Sequence, residues 1–494
     1  MNPNPSPVPA AQSRADFQKH PVPAHGIDRK SRLLVIAAAL MALFLGALDA
    51  LVMSAAMPTI VADLGGLQLY SWVYSAYLLA RAVSLPIFGK LADLFRIKTL
   101  FIISITLFLL ASVLAGFSRN MTLLIIFRVF QGIGAGGNFA LVYIVLADIS
   151  TPANRGKTLS LGSFIWGIAS VLGPTLGGFI VTYFSWRWIF FINVPLALFS
   201  LLGIAFYLIE TRVKKPEVFI DYVGAITLSM TILALLTAFL LGGQKFAWTS
   251  PPMIGLSLLT AGSALAFYWA EKRARDPVLA LRFFAVRGFS IGNGSVFLSS
   301  FAIFSLFAFA PLFIQGALGK NPMQVGAAML ALSLGWSLGS LLLGQVVNRF
   351  GPKPSAIWGA LFLVIGCGLT LTFSSTTSML ACFNVFSLVG LGMGFVTLAT
   401  LLVVQNSLDN TELGVATASH QFARTLGGTI GIGICGSFLS AKTSRILEAI
   451  LHSDLQRDLD PSLALQIQQN FENLFRPAIQ AQLPAGLQKL LQEA

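Results

Sequence analysis

Two stretches far apart in the chain read alike: Gly89-Lys-Leu-Ala-Asp93-Leu-Phe-Arg96-Ile-Lys98 and Gly344-Gln-Val-Val-Asn348-Arg349-Phe-Gly351-Pro-Lys353. They align position for position, and each joins one long apolar run to the next. A loop that recurs in the same place between its neighbouring runs marks two related halves, an arrangement used by membrane proteins built from internal repeats. The rest of the chain is read around that repeat.

The composition fits lipid as the solvent. Of 494 residues, 56% are apolar and only 10% are charged, where soluble domains carry about 25% charged residues. Too little polar surface exists to coat a water-soluble globule of this size. Runs long enough to cross about 30 Å of hydrocarbon occur at 33–57, 69–89, 99–117, 122–147, 158–183, 188–210, 221–242, 252–270, 289–316, 324–346, 355–374, 379–404 and 413–440. Each is a continuous apolar block without the alternation of outer-membrane strands, so the expected fold class is an all-α membrane protein.

The bases assign the sides. Lys and Arg collect on short cytoplasmic loops. Twenty fall on one side, from the N-terminal segment through Lys90, Arg96, Lys98, Arg155, Lys157, the bases of 212–215 and 272–287, to Arg349 and Lys353. Four fall opposite: Arg119, Arg187, Lys245 and Lys320. The N-terminus is therefore expected inside, and the net charge of +13 reads as a topology signal rather than a nucleic-acid footprint. Residues 1–32 are polar and lack an apolar leader core, which predicts a disordered cytoplasmic tail. Cys367, Cys382 and Cys435 lie inside apolar runs with no CxxC spacing, and the four histidines show no HExxH pattern. No metal site and no cofactor are expected. Gly132-Ile-Gly134-Ala-Gly-Gly137 matches a dinucleotide fingerprint, but it lies inside an apolar helix with no strand before it. No Walker A loop is present, so a proton gradient is the expected energy source.

The repeated loop resembles the loop motif of the major facilitator superfamily. Arg128-Val-Phe-Gln131-Gly132-Ile-Gly134 resembles that family's proton-coupling motif, and Gly173-Pro174-Thr-Leu-Gly177-Gly178 its antiporter motif. Trp186-Arg-Trp-Ile-Phe-Phe-Ile-Asn193-Val-Pro195, Gln405-Asn406-Ser, Glu412-Leu-Gly414 and Arg424-Thr-Leu-Gly427-Gly428 resemble the 14-span drug:proton antiporter branch. The resemblance implies a two-bundle transporter with two extra helices between the bundles. It divides the chain into a tail at 1–32, a six-helix bundle at 33–210, two inserted helices within 211–287, a second bundle at 288–440 with five spans, and an external polar or amphipathic tail at 441–494. It also implies a small-molecule substrate, protons and the bilayer as partners, and it allows a periplasmic adaptor and an outer-membrane channel.

Two departures stand out. The first loop has Leu94 where a base is expected and Arg96 where glycine is expected, so the second copy is the fuller one. A fourteenth span is not seen after Ser440, which leaves open a truncated product or a thirteen-span variant.

Polar residues inside the spans are the functional candidates, because an ionisable group at the bilayer centre costs about 2.5–3.5 kcal/mol on insertion scales. Asp49 and Arg128 sit at matching depths below the outer ends of spans 1 and 4. A proton at Asp49 would remove its attraction for Arg128 or for a bound cation, and the alternative is a fixed pair that orients the two spans. Arg81 lies too deep for a direct pair with Asp49; it either selects an anionic substrate group or snorkels to the inner interface. His420 and Arg424 are four apart on one helix face, and the histidine either carries a proton or is satisfied by a neighbouring hydroxyl. Gln131, Asn138, Gln315 and Gln405 can hold a ligand or a facing helix, and Gln131, Asn138 and Gln315 are grouped with Arg81, His420 and Arg424 as candidate cavity residues. By the resemblance, Gly89, Asp93, Lys98, Gly344, Arg349 and Gly351 form gating loops. Gly173, Pro174, Gly177 and Gly178 let span 5 bend or approach another helix closely.

The expected function is proton-coupled export of small amphipathic compounds across a bacterial cytoplasmic membrane by alternating access, with no enzymatic activity. Transport of one endogenous, anionic metabolite is the alternative within the same class, and a non-transporting remnant is the alternative outside it.

Overall fold

The computed structural model describes residues 29–451, apart from 65–68, 152–153, 211–218, 220, 244–245, 276, 280 and 321. Each of the thirteen apolar runs falls on a helix: α1 Arg29–Leu64, α2 Tyr70–Leu94, α3 Ile97–Gly116, α4 Met121–Asp148, α5 Arg155–Tyr183, α6 Asn193–Tyr207 preceded by a single turn at Trp188–Phe191, α7 Tyr222–Leu241, α8 Pro251–Arg273, α9 Arg287–Gly316, α10 Pro322–Phe350, α11 Pro352–Thr370, α12 Met379–Gln405 and α13 Leu413–Leu451. Eleven of them are long and apolar enough to cross a membrane. The other two, α2 and α5, are as long, and both lie at the contact between the halves.

Two boundaries differ from expectation. Helix α1 begins at Arg29, inside the tail expected over 1–32, and α13 continues to Leu451, well beyond the expected end at 440. In both places the helix continues into more polar sequence, and Arg29, Lys30 and Lys442 are exposed. The rest of both expected tails lies outside the described residues.

Local signals account for many of the ends. Asn120, Asp221 and Ser378 cap α4, α7 and α12, each accepting the N–H three residues on, at 2.8, 2.7 and 3.2 Å. Proline occupies the first turn of α8 and α11, where its missing N–H costs nothing.

The packing follows the repeat. In the first half α1 lies on α5, and α4 lies on α2 and α3; in the second, α9 lies on α13, and α12 lies on α10 and α11. Glycines set the closeness of the central contacts. A Cβ on Gly132 of α4 would collide with the carbonyl oxygen of Tyr77, and one on Gly136 would meet that of Arg81 at 2.6 Å. A Cβ on Gly390 or Gly394 of α12 would likewise collide with those of Leu332 or Trp336. The halves meet through α2 on α13 and α5 on α10, while α7 covers the α2–α13 seam and α8 packs on α7. Leu79 and Ala82 of α2 and Leu228, Ile232 and Leu236 of α7 share one apolar cluster there, with Phe422 and Leu426 of α13 packed against it.

The repeat is incomplete in one place. Helix α6 packs against α1 and α3, but among the described residues no helix takes the equivalent place against α9 and α11. A cavity of about 780 Å³ opens there, lined mainly by apolar side chains of α9, α11 and α12 such as Ile291, Leu298, Ile357 and Val364. Arg81, Gln131, Asn138, His420 and Arg424 do not line it.

Candidate functional site

The structure brings Asp49 and Arg128 together in the heart of the first bundle. Arg128 donates to Asp49 Oδ2 at 2.6 Å, and the side chains are 1% and 0% exposed. Four helices supply the surroundings. Gln131 Nε2 donates to Asp49 Oδ1 at 2.8 Å while its oxygen accepts from Arg128 at 2.9 Å. Asn193 at the start of α6 donates to Asp49 Oδ1 at 3.3 Å and to Ser112 of α3 at 3.0 Å. The Tyr77 ring lies 4.1 Å beneath the Arg128 guanidinium. Gln131 thus braces the ion pair, since three residues, one helical turn, separate it from Arg128. Leaving one buried ionic partner alone costs about 3–5 kcal/mol, so the pair ties α1 to α4, with α6 joined through Asn193. Gly173 joins the same region: its Cβ would meet that of Leu51, two residues from Asp49, at 2.6 Å, whereas Gly178 has open space around it and Gly177 is buried. The side chains of Pro174 and Gln315 lie outside the described residues.

A second group of charges lies between the halves. Arg81 and Arg424 are 8% and 6% exposed, and their guanidinium carbons stand 4.4 and 5.1 Å from the Phe139 ring centroid. Sharing that ring puts the two cations less than 10 Å apart. Neither forms an ion pair with a described residue; Arg81 faces the Tyr77 hydroxyl and Arg424 the Tyr143 hydroxyl. Of the two readings of Arg81, snorkelling to the interface is not what the structure has, since aromatic rings enclose the side chain. Each arginine lies over a tryptophan as well, Arg81 over Trp166 at 5.6 Å and Arg424 over Trp336 at 5.7 Å. A cation–π contact returns up to about 2 kcal/mol when desolvated, less than the several kcal/mol that burying each ion costs.

The remaining candidates each bond a neighbouring helix through one atom, while Asn138 Nδ2, Gln405 Oε1 and His420 Nδ1 are buried with no partner among the described residues. Asn138 Oδ1 accepts from Ser104 at 2.6 Å, Gln405 donates to Thr417 at 2.9 Å, and His420 Nε2 shares a 2.9 Å hydrogen bond with Thr400. The hydroxyl alternative for His420 is the arrangement found.

The loop residues close one end, the one carrying the basic loops. Asp93 accepts the N–H groups of Gly414 at 2.8 Å and Val415 at 2.9 Å, in the first turn of α13. A Cβ on Gly89 would stand 3.0 Å from the Gly414 oxygen, and one on Gly344 would stand 2.9 Å from the Gly156 oxygen. The two seams are thus equivalent at this end. Ser337 adds a 3.1 Å hydrogen bond to the Ser163 carbonyl. Gly351 caps α11 at φ +81°, a backbone only glycine adopts freely. Arg96, in its place in the first loop, takes φ −65° and extended ψ, so the altered sequence comes with an altered turn. Lys98 enters through its backbone: Glu210 accepts from the N–H groups of Ile97 at 2.9 Å and Lys98 at 3.4 Å. Arg349 is exposed over Phe350. At the opposite end Asp63 accepts from Trp186 and Arg187, each at 2.9 Å, and these contacts hold its carboxyl below the usual range.

Sequence reasoning missed Asn193 as a site residue, together with Trp166, Trp336 and Phe139. The loop register held a signal for Trp336. Gly344 follows Gly89 by 255 residues, and the same step carries Arg81 to Trp336.

The comparisons with known proteins agree with this architecture. The profile of the Major Facilitator Superfamily matches residues 38–432. The multidrug transporter protein MdtP of Bacillus subtilis (strain 168) is 35% identical over 468 residues, 93% of this chain and 86% of that protein. Multidrug resistance protein 3 of the same organism is 31% identical over 82% of this chain and 79% of its own length. Among solved structures, the human organic anion transporter MFSD10 superposes with a TM-score of 0.60 at 17% identity, over 83% of this chain and 94% of that one, a likeness of fold alone.

Proposed function

Because the chain belongs to the major facilitator superfamily and is a multi-pass membrane protein of transporter fold, we propose that it exports small amphipathic compounds from the cytoplasm in exchange for protons, by alternating access across a bacterial cytoplasmic membrane. The observation that carries the proton-coupled part is the Asp49–Arg128 pair at 2.6 Å, sealed inside one bundle and shared among α1, α4 and α6. The basic end is assigned to the cytoplasm by the distribution of Lys and Arg. With Asp93 on the first turn of α13, the chain is closed toward the cytoplasm and a proton arrives from the outer side. Protonation leaves Arg128 without its counter-charge in a low-dielectric interior. The contacts from Asn193 and Gln131 to the carboxylate weaken with it, and the first bundle relaxes toward the opposite tilt. Deprotonation on the cytoplasmic side restores the pair.

The names of the two Bacillus relatives support drug-like substrates. The test is a panel of amphipathic dyes added to inverted vesicles holding an acid interior, with a pH-sensitive dye reporting proton release. Substrate-evoked proton release that depends on the protein supports antiport. No proton movement with any compound, alongside substrate flux driven by its own gradient, overturns it.

A further inference from the structure

Deepening that efflux reading, on which it rests, we infer that the contact between the halves, when it opens, binds an organic anion with a planar apolar body, its charged group held between Arg81 and Arg424. The internal repeat carries the argument. The step of 255 residues that relates Gly89 to Gly344 takes Arg81 on α2 to Trp336 on α10. The step of 258 that relates Gly156 to Gly414, the partners of those glycines across the two seams, takes Trp166 on α5 to Arg424 on α13. One arginine–tryptophan contact is therefore the image of the other with the residue types exchanged, and the two distances agree, 5.6 and 5.7 Å. Two equivalent pairs, one in each half, bring their arginines together over the ring of Phe139, and a site between the halves is where both conformations of a rocking transporter can reach a ligand.

The chemistry of the four side chains is one-sided. Arginine and tryptophan donate hydrogen bonds and accept none. Arg81 Nε and Trp166 Nε1 are buried atoms with no partner among the described residues, and the arginine is itself more than nine-tenths buried. Two cations enclosed by aromatic faces, neither ion-paired with a described carboxylate although Asp49 acts on Arg81 from further off, attract an anion and repel a cation. A guanidinium fork matches a carboxylate or a similar oxyanion. The ring faces of Phe139, Trp166 and Trp336 suit a planar hydrocarbon body. Thr397, 258 residues after Phe139 and so at its equivalent position in α12, replaces a ring by a small side chain and leaves its hydroxyl without a partner.

A matched set of probes tests this: 1-naphthoate, 1-naphthylmethanol and 1-naphthylmethylammonium share one ring system and differ in charge. Binding to the full chain in lipid nanodiscs is read by tryptophan fluorescence. The expected order is naphthoate tightest, by about tenfold or more over the ammonium probe, with Arg81→Gln and Arg424→Gln each weakening naphthoate about tenfold while Arg81→Lys and Arg424→Lys retain part of it. Equal or tighter binding of the ammonium probe by the unaltered protein overturns the inference, and that comparison does not depend on any variant folding. Unchanged naphthoate affinity in both glutamine variants overturns it as well. Export of a cationic dye with proton release and no naphthoate binding leaves the antiport reading standing and removes this one. Arginine-dependent naphthoate binding without substrate-evoked proton release does the reverse.

Discussion

Asp93 reaches across the whole repeat to Gly414, accepting its N–H at 2.8 Å while the other carboxylate oxygen takes Val415. A carboxylate on the first turn of a helix meets unsatisfied N–H groups and the positive end of the helix dipole. The contact ties the loop after α2 to the start of α13, and both interhalf seams are tight beside it.

Removing that carboxylate should loosen the basic end. A hydrogen bond to a charged group contributes about 1.5–3 kcal/mol, so Asp93→Ala should raise the open fraction at this end by about tenfold or more. Spin labels on cysteines placed at Phe95 and Asp409, both exposed, in a chain with Cys367, Cys382 and Cys435 replaced by Ala, report the distance. A longer, broader distribution is expected. An unchanged distribution would assign the closure to the glycine seams alone.

The glycine contacts predict matched sensitivities in the two halves. Gly132→Val and Gly390→Val each force a side chain into a backbone oxygen of the neighbouring helix, an overpacking that costs about 1–3 kcal/mol or more. Gly178→Ala has nothing within 4 Å to meet and should leave thermal unfolding in detergent unaltered. Comparable melting temperatures for all three would contradict the packing described.

The outer-end contact of Asp63 has a defined pH sense. Its donors Trp186 and Arg187 lower the carboxyl below the usual range. A carboxylate lowered on folding stabilises above its unfolded value, near about 4, and loses that contribution as pH falls through the folded value. Trp186 fluorescence should therefore stay level from about pH 8 to 5 and change only in stronger acid, and Asp63→Asn should leave the pH profile of transport in that range unaltered. A transport profile shifted by Asp63→Asn would place a coupling proton at the outer end instead.

The helices and the pairing of Asp49 with Arg128 were legible because both rest on one-dimensional quantities: run length against bilayer thickness, and depth counted from a span end. The rotation of each helix is not such a quantity. Sequence leaves Gln131 free to hold a ligand or a facing helix, and its rotation delivers it to Asp49; sequence likewise leaves two readings of Arg81, which is enclosed by rings. Trp166 and Trp336 read as ordinary apolar filling in sequence. They gain meaning only when the register of the repeated loops is carried one helix further, which pairs each with an arginine.

The central claim is that Asp49 carries the exchanged proton. Proteoliposomes with a pH-sensitive dye inside, holding the unaltered protein or Asp49→Asn, measure substrate-evoked proton flux and substrate flux together. Asp49→Glu serves as the ionisable control, and chromatographic monodispersity confirms folding. Coupled proton flux should vanish in Asp49→Asn and survive in Asp49→Glu, while substrate continues down its own gradient. Undiminished proton flux with Asp49→Asn would contradict the account and move the proton to another group.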